Sequence, residues 1–385
     1  MNHRERAMAI LNYKPYDRLP IVHFGYWDQT LVKWAHQGHI TMQQALDWQD
    51  GNYIDLEIGH KLGFDFNWSS TFGCSSNLFP ALRSRVLEKM PDGTRKVLDG
   101  NGAIILKKTG VTSIPKEIDH LLKGRKEWEE YYKPRLRWSE ERLHKANVRL
   151  MTETIPFSKG GREALLASKR EYPLGVSCGS LLGYIRNWLG VVGLSYLTAD
   201  DEGLLDEMIE TVGQLAYRCV KEVLATGIKF DFGHFWEDIC FKTGPLVNPR
   251  LFHEKVGPQY KRITSLLHEN GVHIVSLDCD GLIDALIPTW VENGVNTMFP
   301  MEVGTWNANI KPWREKFGKE LRGVGGMNKV LMAYDYAAVD KEVARLRPLV
   351  ELGGYIPCPD HRFAPDAKWE NVQYYCERMR KIFGG

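Results

Sequence analysis

The sequence predicts an α/β protein built as a single (β/α)8 barrel of the TIM type, with an N-terminal insertion of β-hairpins and helices. Three observations carry this prediction. From Tyr172 onward, short apolar runs alternate with longer amphipathic stretches, the pattern of parallel strands joined by helices. Counting one earlier run near Ile21 gives seven strands, and the irregular stretch between has room for an eighth. The 385 residues suit one such barrel. A doubly wound open sheet is the alternative, but no Gly-x-Gly-x-x-Gly turn follows the first run.

In chain order, Arg4 to Leu11 has helical spacing and ends at Asn12. Asp17 and Arg18 then precede LPIVHFGYW, an apolar run suited to a buried strand. The insertion is placed at 50–170 within one domain spanning 1–385. It contains MPDGTRKVLDGNGAIILKKTG, where Asp-Gly and Asn-Gly turns separate β-prone runs and predict one or two hairpins. Glu117 to Ala146 reads as a charged, exposed helix. The regular strands follow at 173–180, 228–236, 272–280, 295–303, 321–327 and 353–359. Helices are expected over Leu204–Thr226, Pro249–Asn270, Gly281–Asn293, Lys311–Gly318 and Val339–Leu352.

Composition excludes several classes. Fifty basic residues against 48 acidic ones, with no basic stripe interleaved with aromatics, give no support for nucleic-acid binding. The N-terminus lacks a secretory apolar core. Gly175 to Leu197 is apolar but is broken by Arg186, Asn187 and glycines, so no membrane span is expected. Seven scattered cysteines without a Cys-x-x-Cys pair favour a reducing, cytoplasmic setting. Twelve tryptophans leave open a pocket lined by aromatic rings, beside ordinary packing.

Barrels of this type place their active sites at the C-terminal ends of the strands. Four strand ends here are polar: His234, Trp236, Glu237 and Asp238; Asp278, Cys279 and Asp280; Glu302; and Cys358, Asp360 and His361. Asp278 and Asp280 are two apart, so a strand presents both carboxylates on one face and Cys279 on the other. Two acids in one mouth need a proton or a cation to compensate them. With Glu237 and His361 they form an N/O ligand set suited to Zn²⁺ in an open arrangement. Each residue also has a structural reading. Asp280 can cap the helix after Gly281, Glu237 can pair with an arginine, and His361 can be a loop histidine. Cys279 and Cys358 read as small buried groups, or as ligands displacing one of the four. The turn GVSCGSLLGYIRNWLG has backbone N–H groups that a ligand can approach, or it serves tight packing. Gly325 and Gly326 lie at a strand end without a P-loop sequence.

Three segments carry a family resemblance. The opening RERAMAILNYKPYDRLPIV, the block ENGVHIVSLDCDGLIDALIPTWVENGVNTMFPMEV and the end GGYIPCPDHRFAPDAKWENVQYYCERM resemble uroporphyrinogen-decarboxylase-like proteins. The resemblance covers nearly the whole chain, least clearly over 20–170, and implies a (β/α)8 barrel. It departs from the true decarboxylases, because IVHFGYWDQTLVKW has no arginine for substrate carboxylates. It is closer to the corrinoid-dependent methyltransferase branch. There, Asp278 and Asp280 fall at a zinc-binding His-x-Cys pair and His361 at a later cysteine. The change from thiolates to carboxylates makes a harder ligand set.

The resemblance thus implies a zinc-dependent methyltransferase of the O-demethylase type. It would move a methyl group from a small O-methylated compound, such as an aromatic methyl ether, to a corrinoid carried by a partner protein. Glu237, Asp278, Asp280 and His361 would hold the zinc, and Glu302 would act as an acid or a substrate partner. His23, Tyr26, Trp27 and Trp236 would line an apolar pocket, and a homodimer fits the family. Two alternatives stand beside it. One is a metal-independent decarboxylase of a small acid using Arg186. The other is a non-catalytic binding subunit of a methyltransferase complex.

Overall fold

The structure is a computed structural model, and it describes residues 1–108, 115–150 and 153–384. Eight staves form the barrel. The first is β1 (Val22–His23). The second is broken into β2 (Phe66–Asn67) and β3 (Thr71–Phe72). Then come β4 (Gly175–Gly179), β5 (Phe232–Trp236), β6 (Val275–Asp278), β7 (Thr297–Phe299), β8 (Arg322–Met327) and β9 (Tyr355–Pro359). Strands β3 to β9 pair in order as one parallel sheet, and β1 pairs in parallel with β2. A parallel bridge between Tyr26 and Phe363 brings the first and last staves together. The eighth strand missing from the apolar count is therefore 66–72. Its two-residue pieces are too short to read as a run.

Most connecting elements follow from local chemistry. Asn2 and Glu5 form a capping box that starts the helix His3–Leu11. The long helix Glu202–Leu224 buries one apolar stripe, from Leu204 through Val212 to Val223, against the sheet. Helix Ile287–Glu292 is shorter than the expected Gly281–Asn293. Gly281 has φ +86°, and a Cβ there would meet the Cys240 carbonyl at 2.6 Å. The chain after β6 therefore turns beneath that loop, and Pro288 sits in the first turn of the helix.

The elements added to the barrel lie between β3 and β4, so they begin later than residue 50. Helix Tyr53–Leu62 and the 66–72 strand belong to the barrel itself. The added part holds a four-stranded antiparallel sheet, Arg85–Lys89, Arg95–Leu98, Ala103–Lys107 and Lys116–His120. The predicted hairpin turns stand at Gly93 and Gly102, both with positive φ. The last two residues of the quoted run, 109–110, lie outside the described residues. The expected helix over 117–146 is corrected. Its start is the edge strand 116–120, and short helical pieces follow at 125–136 and 141–144. Gly124 and Pro134 interrupt helix growth there, while Trp128, Tyr132 and Leu136 turn into the core. No helix among the described residues is long and apolar enough to cross a membrane.

Candidate metal centre at the barrel mouth

Strand alternation decides which side chains enter the barrel. Phe232 stacks on Trp68 at 4.6 Å, so Phe232, His234 and Trp236 form the inward row of β5. His234 lies opposite Ser276, and Trp236 opposite Asp278. The His234 Nδ1 is 3.2 Å from the Ser276 hydroxyl, to which the Trp68 indole N–H also donates at 3.4 Å. Above this layer the strands end in acids.

Asp238, Asp278 and Asp280 each place a carboxylate oxygen within 4.8 Å of the other two. Asp278 ends β6. Asp280 follows on the same face, and its N–H donates to Asp238 Oδ1 at 3.3 Å. Asp238 has φ +44°, a left-handed turn that only a tightly held loop sustains. Its carbonyl accepts from Arg186 at 2.7 Å. From the β9 side, His361 Nε2 reaches Asp280 Oδ2 at 3.3 Å. Asp280 Oδ1 is buried with no hydrogen-bond partner among the described residues.

The electrostatics match this crowding. Burial, then repulsion from Asp280 and Asp238, pushes Asp278 well above the usual carboxylate range. Burial and Asp280 push Asp238 up to about 6. Burial and Asp280 also raise Glu302. An orphaned oxygen, three gathered carboxylates and one imidazole fit a divalent cation held by hard donors.

Glu302 stands behind the cluster. Its Oε2 accepts from the Gly281 N–H at 2.6 Å and its Oε1 from the Thr305 hydroxyl at 2.9 Å, so it fixes the Asp280 loop. Asp360 does the same for the His361 loop, accepting from the N–H groups of Gly304 at 2.7 Å and Lys329 at 3.1 Å. Around the mouth, Trp27 stacks on His361 at 5.5 Å and Phe24 meets it edge-on. Phe24 also packs on Phe299 at 4.5 Å, and Trp236 faces Tyr184 at 6.1 Å.

Several expected residues lie elsewhere. Glu237 is fully buried and faces away from the cluster. Its carboxylate accepts from the N–H groups of Leu181, Leu182 and Gly183 at 2.8–3.0 Å and from Ser180 and Tyr260. The exposed amides of the Gly179–Gly183 turn thus hold the chain's own Glu237. Asp238 takes the position expected of Glu237. Its parity with His234 and Trp236 was the signal that distinguishes the two. His23 and Tyr26 pack outside the barrel rather than in the pocket. His23 lies against Gly59 and Phe64, and Tyr26 lies among Trp34, Trp48 and Phe363. Phe24, between them, is the inward residue. Cys279 points outward to Cys240, and burial pushes the thiols of Cys279 and Cys358 well up. Gly325 and Gly326 serve packing: a Cβ at Gly325 would lie 1.6 Å from the Pro300 oxygen. Arg186 donates one N–H to the Asp238 carbonyl, and its Nε is buried without a partner among the described residues.

No protein-family model and no curated protein sequence matches the chain. Among solved structures, a methyltransferase from Methanosarcina mazei matches with a TM-score of 0.62 at 14% identity, over 99% of both chains. A B12-independent methionine synthase from Shewanella sp. W3-18-1 covers 60% of this chain and 70% of its own, at 12% identity and a TM-score of 0.39. The second likeness is too distant to carry an argument. The first establishes the fold: over its whole length this chain is similar to a (β/α)8 barrel seen before.

Proposed function

We propose that the protein is a barrel methyltransferase whose acidic mouth holds one divalent cation, zinc in the first instance. Asp238, Asp278, Asp280 and His361 are its ligands. The methyl donor is a small O-methylated compound, and the acceptor is a reduced corrinoid on a partner protein. The observation that carries this reading is the gathering of three carboxylates from two staves at the barrel's C-terminal end, with the His361 imidazole from a third stave 3.3 Å from one of them. The methyltransferase that the chain resembles along its full length supports the reaction class.

A cation bound there supplies Lewis acidity to an ether oxygen and stabilises the departing oxyanion. The chain's own residues do the rest. Trp27, Phe24, Phe299 and Trp236 form an apolar wall that seats a ring and excludes water. Glu302, raised by burial and by Asp280, orients the Asp280 loop through Gly281. His234, held neutral by burial, offers a hydrogen bond to substrate from the barrel floor. The methyl carbon would bond to the electron pair of the partner's reduced corrinoid as the C–O bond breaks, its electrons staying on oxygen, and the phenolate would take a proton from water on release.

The test is methyl transfer from methoxylated aromatics to a reduced corrinoid, followed by loss of the Co(I) absorption. Transfer that requires added zinc and fails in Asp278→Ala is the expected result. No transfer to the corrinoid from any O-methyl donor, with zinc bound, would overturn the reading.

A further inference from the structure

A cavity lies at the C-terminal ends of β3 and β4, beside the inserted helix Glu141–His144. It has a volume of about 330 Å³ and is lined by Ser75, Ser76, Ser177, Tyr184, Arg142 and Lys145 among others, with no acidic side chain. Ser177 belongs to the inward row of β4, opposite His234. Small residues hold the space open. A Cβ on Gly73 would strike Ser177 at 2.8 Å, and one on Gly179 would strike the Ser76 hydroxyl.

Two polar groups of this cavity have no charged partner among the described residues. Arg142 is 2% exposed, yet its guanidinium donates only to backbone carbonyls, those of Ser75 at 2.6 Å, Asn77 at 2.8 Å, Arg137 at 3.1 Å and Arg135. It forms no ion pair with any described carboxylate, and a buried cation without a counter-ion is costly. The Ser76 hydroxyl is likewise 2% exposed, and beyond the neighbouring Tyr184 phenol it has no partner among the described residues. Burial pushes that phenol up to about 12, so it stays a proton donor. At the rim, Lys145 adds a second positive charge, shared with the exposed Glu141 at 2.7 Å.

We infer that this cavity is an anion subsite, in which Ser76, Tyr184, Arg142 and Lys145 receive a carboxylate borne by the methyl donor. The inference rests on the methyltransferase reading for the identity of the donor. The mouth is polarised: acids gather at β5, β6 and β9, while hydroxyls and cations gather at β3 and β4. An anionic group is repelled from the first wall and drawn to the second, so a donor with an ether at one end and a carboxylate at the other binds in one orientation. The Tyr184 ring lies 6.1 Å from that of Trp236, which pairs opposite Asp278, and so links the hydroxyl side of the subsite to the acids.

The test is calorimetric titration of the full chain with para-methoxybenzoate, benzoate and neutral para-methoxybenzyl alcohol. Both acids should bind about tenfold or more tightly than the alcohol, as charge-assisted bonds require. Lys145→Glu, an exposed change that spares the fold, and Ser76→Asp should each erase that preference and leave alcohol binding unchanged. Equal affinity for acid and alcohol, a preference retained in both folded variants, or no binding of any of the three would overturn the subsite. Benzoate carries no methyl group, so its binding reports the subsite alone. Preferential acid binding without methyl transfer would sink the methyltransferase reading instead. Transfer from neutral ethers without acid preference would sink only the subsite.

Discussion

His361 Nε2 stands 3.3 Å from Asp280 Oδ2, joining the loop after the last strand to the loop after β6 in the acidic mouth. This contact is what makes the cluster more than three acids on adjacent loops. It brings a nitrogen donor from the far side of the barrel, and Trp27 stacked on the ring keeps it there. Replacing Trp27 by Ala should weaken zinc affinity about tenfold, since residues that orient a ligand typically cost that much. Equilibrium dialysis against a zinc indicator checks it, and circular dichroism should be unchanged.

Glu237 is predicted to be structural. Glu237→Ala strips a buried acceptor from three backbone N–H groups and two hydroxyls. A loss of about 3–5 kcal/mol in folding free energy is expected. Denaturant unfolding measures it. A variant as stable as the parent but unable to bind zinc would return Glu237 to the ligand set.

These two cases show how far the sequence reaches. The strand–helix alternation from Tyr172 on and the polar strand ends were legible because period-two and amphipathic patterns survive in single sequences. The pair Asp278 and Asp280 was legible from spacing alone. The choice between Glu237 and Asp238 was legible only through the parity of Asp238 with His234 and Trp236, and the choice between His23 and Phe24 was not. Each depends on where a strand stops alternating, and Asp238 leaves the strand through a left-handed turn. The second stave was hidden because its two pieces, 66–67 and 71–72, are broken by a turn. Arg142 gave no signal at all, since a buried arginine looks the same as an exposed one in a charged segment.

Acid should destabilise the fold through two histidines. Burial holds His23 down at about 3 and His234 at about 4. The unfolded chain protonates both near pH 6.5, so below that pH it binds more protons than the fold does. Each histidine therefore contributes a loss of stability as pH drops from about 6.5 toward about 4, by up to about 3 kcal/mol at the lower end. The raised carboxyls of Asp238 and Asp278 contribute in the opposite sense over the same window, so the histidine contribution is read as a difference. Thermal melts of the parent and His23→Gln across this range should diverge, the parent losing more stability on acidification. Parallel pH profiles of the two folded proteins would contradict the burial of the His23 ring.

Gly325 has φ +132°, and a Cβ there would overlap the Pro300 carbonyl. Gly325→Ala should cost about 3 kcal/mol or more, because both the backbone conformation and the contact forbid a side chain. Gly93→Ala, at an exposed turn where a Cβ meets nothing, should cost only about 1 kcal/mol. Parallel denaturant unfolding of the two variants separates crowding from strain.

The central claim is that the acidic mouth is a cation site, and metal content tests it most directly. Protein purified without chelators should carry roughly one zinc per chain, or take it up to that ratio when zinc is added. Asp278→Ala and His361→Ala should each lose it while keeping the parent's circular dichroism. A parent chain that stays metal-free with excess zinc would contradict the account, as would folded Asp278→Ala protein that binds zinc as tightly as the parent.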